Sequence, residues 1–403
     1  MWSPASGLRA EVVIMSLMLP SRESSLRRLT DVLPSCFASM GVGDFTNALD
    51  LPTARCVVLV LVDGLGYFNL ADGLGHASFL RSNFADTRQL STVFPSTTAT
   101  ALASLATGVD PGEHGMLGYQ IRNPASGRII NQLSGLSDVS DIESWLGVPT
   151  LHQTARLLGA ESIVVGLPRF EDSLLTKVVH AGAAYRGANS MAERAQVAIQ
   201  QARTGTHLVM LYVPELDQKA HAHGVTSGEW LVALEELDGM LRTLVAEVPS
   251  DTAVYVTADH GVIDVPADLH IDVLDPRWGI DSSCELGGEP RGLQVYGGLI
   301  ADRQHLAPTD DGVDSGHDVR NVFRQQLQSA AWVVTPEDLA AAGWWAPLTS
   351  HMAPRAGETI VIPRDGAVFY DARLPHAPAR RMVGQHGGLS EREISIPWAR
   401  LHA

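Results

Sequence analysis

Cys56-Val57-Val58-Leu59-Val60-Leu61-Val62-Asp63-Gly64 is an unbroken apolar run, rich in β-branched side chains, that stops at an acid and a glycine. A strand with one wet face alternates apolar and polar residues; a run without alternation predicts a strand covered on both faces, inside a parallel sheet. Asp63 ends the run. In open α/β sheets the C-terminal strand ends form the ligand crevice, so an acid there is placed for chemistry.

Two further stretches repeat the pattern. His207–Val213 is apolar and is followed by Pro214-Glu215-Leu216-Asp217, and Ala253–Val256 is followed by Thr257-Ala258-Asp259-His260-Gly261. Between them Trp230, Leu234, Leu237, Leu241 and Leu244 recur at spacings of three and four, which predicts an amphipathic helix, with Thr226 and Glu229 as a capping box. Helices are also expected over Pro149–Leu158 and Ala192–Ala202, with a short strand at Ser162–Gly166. This alternation predicts an α/β fold with a doubly wound, mostly parallel central sheet and helices on both faces.

The flanks read differently. Residues 1–50 are expected to form a lead-in, with one short helix over Ser25–Leu33 ending at Pro34. After Gly261 the rhythm breaks, and residues 265–355 are expected to form a small inserted α+β subdomain. Residues 51–264 and 356–403 then make the catalytic domain. Past Gly261, helices are expected at Asp318–Ala330 and Pro336–Ala342, and a strand at Ala331–Thr335. A hairpin is expected to join Thr359–Pro363 to Ala367–Tyr370 around Arg364-Asp365-Gly366, with an edge segment near Ile394–Leu401.

Composition narrows the function. The 403 residues are 45% hydrophobic and 18% charged, with a formal net charge of -16. That charge argues against a nucleic-acid polymer or an anionic membrane as partner, while leaving room for a small phosphate-ester substrate beside bound cations. Cys36, Cys56 and Cys284 make no disulfide framework, as in a reducing compartment. Val12–Pro20 lacks the flanks of a signal peptide and no run reaches membrane-span length, so a cytoplasmic location is expected. The sequence leaves the oligomeric state open.

Ser91–Tyr119 is rich in hydroxyls: Ser96, Thr97, Thr98 and Thr100 precede an Ala-rich run that Gly108 ends. The run predicts a helix over Ala99–Thr107 that starts at Pro95-Ser96 with a hydroxyl cap, and a helix N-terminus suits a phosphate or an alkoxide. Asp63, Asp217, Asp259 and His260 stand at strand ends; His221 follows Asp217 at the helical spacing of four, and His386 sits in Gly384-Gln385-His386-Gly387-Gly388. This mixed carboxylate and imidazole set suits zinc-type ions rather than a plain magnesium or calcium cage.

These motifs resemble those of the alkaline phosphatase superfamily, in particular its type I phosphodiesterase/nucleotide pyrophosphatase branch, from about Arg55 to Gly388. The resemblance implies two divalent metal ions, zinc first and manganese or iron as alternatives. One would be held by Asp217, His221 and His386, the other by Asp63, Asp259, His260 and the nucleophile. Counting ten residues back from the Gly of Thr107-Gly108 selects Thr98 as that nucleophile, with Thr97 second, and the Pro111–Gly115 motif supports the alignment from that side. The implied activity is metal-dependent phosphodiester or nucleotide pyrophosphate hydrolysis through a phospho- or nucleotidyl-threonine. A phosphomonoesterase or phosphonate hydrolase is the near alternative, and a catalytically silent metal-bound binding protein the remote one. No cysteine stands in a sulfatase setting. Arg122, Arg169 and Arg291 are candidates for phosphate contact.

Overall fold

A computed structural model of the chain describes residues 18–205, 208–275, 284–297 and 319–402. The strands used below, in chain order, are β1 (Cys56–Val62), β2 (Arg88–Ser91), β3 (Ser162–Gly166), β4 (Ala184–Gly187), β5 (Leu208–Val213) and β6 (Thr252–Thr257). Then come β7 (His270–Val273), β8 (Glu285–Glu289), β9 (Gly292–Tyr296), β10 (Ala331–Val334), β11 (Thr359–Pro363), β12 (Val368–Asp371) and β13 (Ser395–His402). The helices used below are α1 (Val32–Ser39), α2 (Thr98–Thr107), α3 (Leu151–Leu157), α4 (Leu174–Val179), α5 (Met191–Arg203), α6 (Glu215–His223), α7 (Gly228–Glu247), α8 (Val319–Leu327) and α9 (Pro336–Ala341).

Seven strands make the main sheet, in the order β2-β13-β6-β1-β5-β3-β4. β1 lies between β5 and β6, parallel to both, with Leu61 opposite Tyr212 on one side and Thr257 on the other. All seven of its residues are buried, as the unbroken apolar run requires. α5 and α7 pack together on one face, and α2 contacts α1, α3 and α4. β13 runs antiparallel to both neighbours, so it begins at the end of the sheet where β2 and β6 finish. That end gathers the segments that follow β1, β2, β5 and β6 with the segment that precedes β13.

A second sheet, β8-β9-β11-β10, is antiparallel throughout. α8 packs on it through Val319, Phe323 and Leu327, in a core that also holds Val361 and Phe369. The sheet takes in Thr359–Pro363, beyond the 355 boundary expected for the insert. Among the described residues, no helix is long and apolar enough to cross a membrane. All three cysteines are buried and unbridged.

Several expectations are corrected. α1 begins at Val32 and runs through Pro34, its third residue, where the missing N–H has no intrahelical acceptor to lose. β11 and β12 do not pair as a hairpin: β11 joins the second sheet while β12 pairs in parallel with β7. The turn between them serves the interior, for Arg291 donates to the carbonyls of Asp365 and Ala367. β13 is an inner strand, flanked by β2 and β6, rather than an edge. The cap of α7 is Ser227, whose hydroxyl accepts from the Trp230 N–H, in place of Thr226. Thr97 occupies the cap position of α2 without a side-chain capping bond. Ser96 instead donates to the Gly388 carbonyl and accepts from the Gly387 N–H. Asp318 and most of Val12–Pro20 lie outside the described residues.

Candidate active site

At the crevice end of the sheet the chain brings together all seven residues singled out above. Asp63 follows β1, its backbone N–H bonded to the Val213 carbonyl of β5, so backbone pairing fixes its position. Asp217 and His221 lie one turn apart on α6, directly after β5. Asp259 and His260 follow β6, and His386 comes from the loop before β13. Thr98 is the first residue of α2, where the opening N–H groups lack intrahelical acceptors.

The side chains fall into two groups. In each of Asp217, His221, His386 and Asp63, Asp259, His260, the potential ligand atoms lie within 4.8 Å of one another. Asp217 Oδ2 is 3.2 Å from His221 Nε2, and Asp217 Oδ1 is 3.9 Å from His386 Nε2. His260 Nε2 is 3.4 Å from both Asp63 Oδ1 and Asp259 Oδ2 and 3.3 Å from Thr98 Oγ1. The rings of His260 and His386 stack at 3.8 Å, which joins the two groups.

Backbone carbonyls set the imidazoles. His221 Nδ1 lies 2.8 Å from the Gly384 carbonyl, His386 Nδ1 2.9 Å from that of Ser96, and His260 Nδ1 3.2 Å from that of Gly261. A carbonyl only accepts, so each Nδ1 carries a proton, and in the neutral imidazole that a cation would bind each Nε2 turns a lone pair inward. Facing those lone pairs are Asp63 Oδ1, Asp217 Oδ1 and Asp259 Oδ2, buried oxygens with no hydrogen-bond partner. Lone pairs pointed at carboxylate oxygens repel unless a proton or a cation stands between them. Three imidazole nitrogens and three carboxylates in two compact sets fit a pair of divalent cations.

The titration behaviour carries the same strain. Burial, together with Asp259 and Asp217, holds the Asp63 carboxyl well above its ordinary value, and burial pushes Asp259 up to about 7. Burial lowers His260 to about 4 and His386 to about 3, the latter with help from the His260 ring. Burial would also lower His221, but the Asp217 carboxylate outweighs it and pushes that imidazole up to about 8. Burial likewise opposes ionisation of Asp217, yet His221 holds it below the usual carboxylate range.

Some contributors were not visible in the sequence. Tyr212, on β5, donates its hydroxyl to Asp63 Oδ2. Ser96 lends its carbonyl to His386, and Thr92 donates to the Asp259 carbonyl at 2.5 Å. Each acts across a long sequence separation with no spacing to reveal it. The arginines proposed for phosphate contact are engaged elsewhere, and none lines the cleft. Arg291 forms a fully buried ion pair with Glu393, Arg122 lies over Tyr296, and Arg169 over Phe170. His114 is buried against Ser104, and Trp344 and Trp345 pack with their indole N–H groups on the carbonyls of Pro20 and Phe94. Above the metal-binding candidates opens a cleft of about 970 Å³ whose floor includes Asp63, Thr98, Asp217 and His386.

Residues 57–389 match the family described as type I phosphodiesterase / nucleotide pyrophosphatase. Among solved structures, murine ectonucleotide pyrophosphatase / phosphodiesterase 5, as an inactive threonine-to-alanine variant in complex with AMP, is similar at a TM-score of 0.63. Its identity is 16%, over 85% of this chain and 87% of that one. The human counterpart gives the same figures. Phosphonoacetate hydrolase from Sinorhizobium meliloti 1021, in complex with phosphonoformate, is similar at a TM-score of 0.64 and 19% identity, over 87% of this chain and 91% of that one. At these identities the structural likeness is one of fold. No curated protein matches the chain.

Proposed function

The chain belongs to the type I phosphodiesterase/nucleotide pyrophosphatase family of phosphoric ester hydrolases, and from that premise we propose that it hydrolyses a phosphodiester with Thr98 as nucleophile. The observation that carries the reading is the facing of three Nε2 lone pairs and three partnerless carboxylate oxygens beside the Thr98 hydroxyl. Asp217, His221 and His386 would hold one cation, and Asp63, Asp259 and His260 with Thr98 the other, zinc being the first choice for this donor set. Bound there, the pair would lower the pKa of a coordinated hydroxyl and balance charge on entering and leaving oxygens.

Thr98 Oγ1 attacks phosphorus and gives up its proton as the bond to the leaving oxygen breaks, and that oxygen departs with the proton as an alcohol. The ester left on Thr98, which keeps the second substituent, is then hydrolysed by water, whose hydroxyl goes to phosphorus and whose proton restores the Thr98 hydroxyl. The N–H groups opening α2 offer donors to the phosphoryl oxygens without reorganisation. The murine neighbour, inactive with one threonine changed to alanine, is in keeping with a threonine nucleophile on this fold.

The test is hydrolysis of bis(p-nitrophenyl) phosphate by chelator-stripped protein reloaded with zinc, manganese or iron. Thr98→Ala is expected to lower kcat by about 10³-fold or more, with metal content by mass spectrometry unchanged. Retention of wild-type turnover in that variant overturns the assignment. Faster cleavage of p-nitrophenyl phosphate, or of a phosphonate, would transfer the activity to the phosphomonoesterase or phosphonate hydrolase reading.

A further inference from the structure

Beyond the reacting centre, the cleft is mostly apolar. Phe170 and, on α4, Leu175 and Val179 line it, together with Leu293 of β9 and Phe369 of β12. At the mouth, Leu133 and Leu374 are 39% and 58% exposed, large apolar side chains left in water beside the opening. An exposed apolar rim continuous with apolar walls marks a surface that gains by being covered.

The charges point the same way. Among the described residues lining the cleft there is no lysine, and Arg373 is the one arginine. Its guanidinium is held by Asp371, with Nη2 at 2.8 Å from Oδ2 and Nε at 2.9 Å from Oδ1. Away from the metal-binding candidates, the remaining carboxyl groups of the lining are Glu289 and Asp371. A substrate bearing a second phosphate would meet there a neutral Glu289, whose carboxyl burial pushes up to about 8, and an arginine already engaged by Asp371, which leaves the added charge uncompensated away from water. A single phosphate can sit on the floor while an apolar substituent covers the walls.

We infer that the substrate is a phosphodiester with one phosphate whose second substituent is an extended apolar chain lying along these walls. This rests on the phosphodiesterase reading above and narrows it. The cleaved bond is unchanged: phosphorus passes to Thr98 and then to water, and the leaving alcohol carries the proton away. Burial of each further methylene then raises binding in the transition state as in the ground state.

The experiment measures kcat/KM of the metal-reloaded enzyme on methyl, butyl and octyl p-nitrophenyl phosphodiesters below their micelle-forming concentrations. A rise of about two- to fourfold per methylene is expected, the upper value being full burial. Leu374→Gln changes an exposed side chain, so the fold should stand. It and Leu175→Gln should flatten the chain-length dependence while leaving the methyl ester unchanged. A flat series in the wild type overturns the inference, as does faster cleavage of a dinucleoside pyrophosphate than of the octyl diester. If neither the methyl diester nor bis(p-nitrophenyl) phosphate is cleaved with any of the three metals, it is the phosphodiesterase reading that falls.

Discussion

Tyr212 works at the scale of one bond. Its hydroxyl donates to Asp63 Oδ2, which leaves Oδ1 turned toward His260. Removing the hydroxyl frees the carboxylate to rotate, and loss of such a support costs about 10–100-fold in metal affinity in comparable sites. Tyr212→Phe is therefore expected to weaken zinc binding by that factor in titration calorimetry, with the circular dichroism spectrum unchanged. Affinity equal to the wild type would mean that backbone pairing alone orients Asp63. The residue scale also shows where sequence reading stops. Asp63, Asp259 and His260 were legible because each lies at, or within a few residues of, the end of an unbroken apolar run. Tyr212 was not: it is one more apolar member of such a run until the fold brings its hydroxyl to the end of the neighbouring strand.

Among the elements, the loop carrying His386 depends on a support that sequence spacing does not disclose. Glu393 accepts from Arg291 Nε at 2.6 Å and Nη2 at 2.7 Å, and from the Gly388 N–H at 2.8 Å. Both side chains of the ion pair are fully buried. Burial alone would raise the Glu393 carboxyl, but Arg291 holds it below its ordinary value. Glu393→Ala leaves a buried guanidinium without its counter-charge and should cost about 3–5 kcal/mol in urea unfolding. A loss under about 1 kcal/mol, the scale of an exposed pair, would show that water reaches Arg291. The elements themselves were read well wherever apolar runs lacked interruption, as in β1 and β3. β13 was misread because Pro397 and Arg400 give it the composition of an edge strand, although Trp398 pairs with both β2 and β6. The turn at Arg364-Asp365-Gly366 carries ordinary hairpin chemistry; only the sheets on either side reveal that its two strands part.

For the whole molecule, acid stability follows from imidazoles that the site does not use. Burial lowers His114 to about 3 and His152 to about 4. His114 Nδ1 accepts the Met116 N–H, so protonating it breaks a bond inside the core. Both folded values lie below the unfolded one near 6.5, so below that pH the unfolded chain binds more protons. The contribution is complete above pH 6.5 and is lost as pH falls toward 4, at about 1.4 kcal/mol per pH unit for each group. His152→Gln should make the dependence between pH 6.5 and 4 shallower by that amount in denaturant titrations. An unchanged slope would mean that His152 is already charged in the folded state.

β13 has one further consequence, for the order in which a growing chain can finish its work. β2 and β6 leave the ribosome before any of the second sheet, and β13, which fills the space between them, leaves after it. Until then a sticky seam of unpaired peptide groups lies open one strand in from the edge of the main sheet. Synthesis paused in that interval presents a ready template for another chain, and a chaperone that shields the seam would act at that stage.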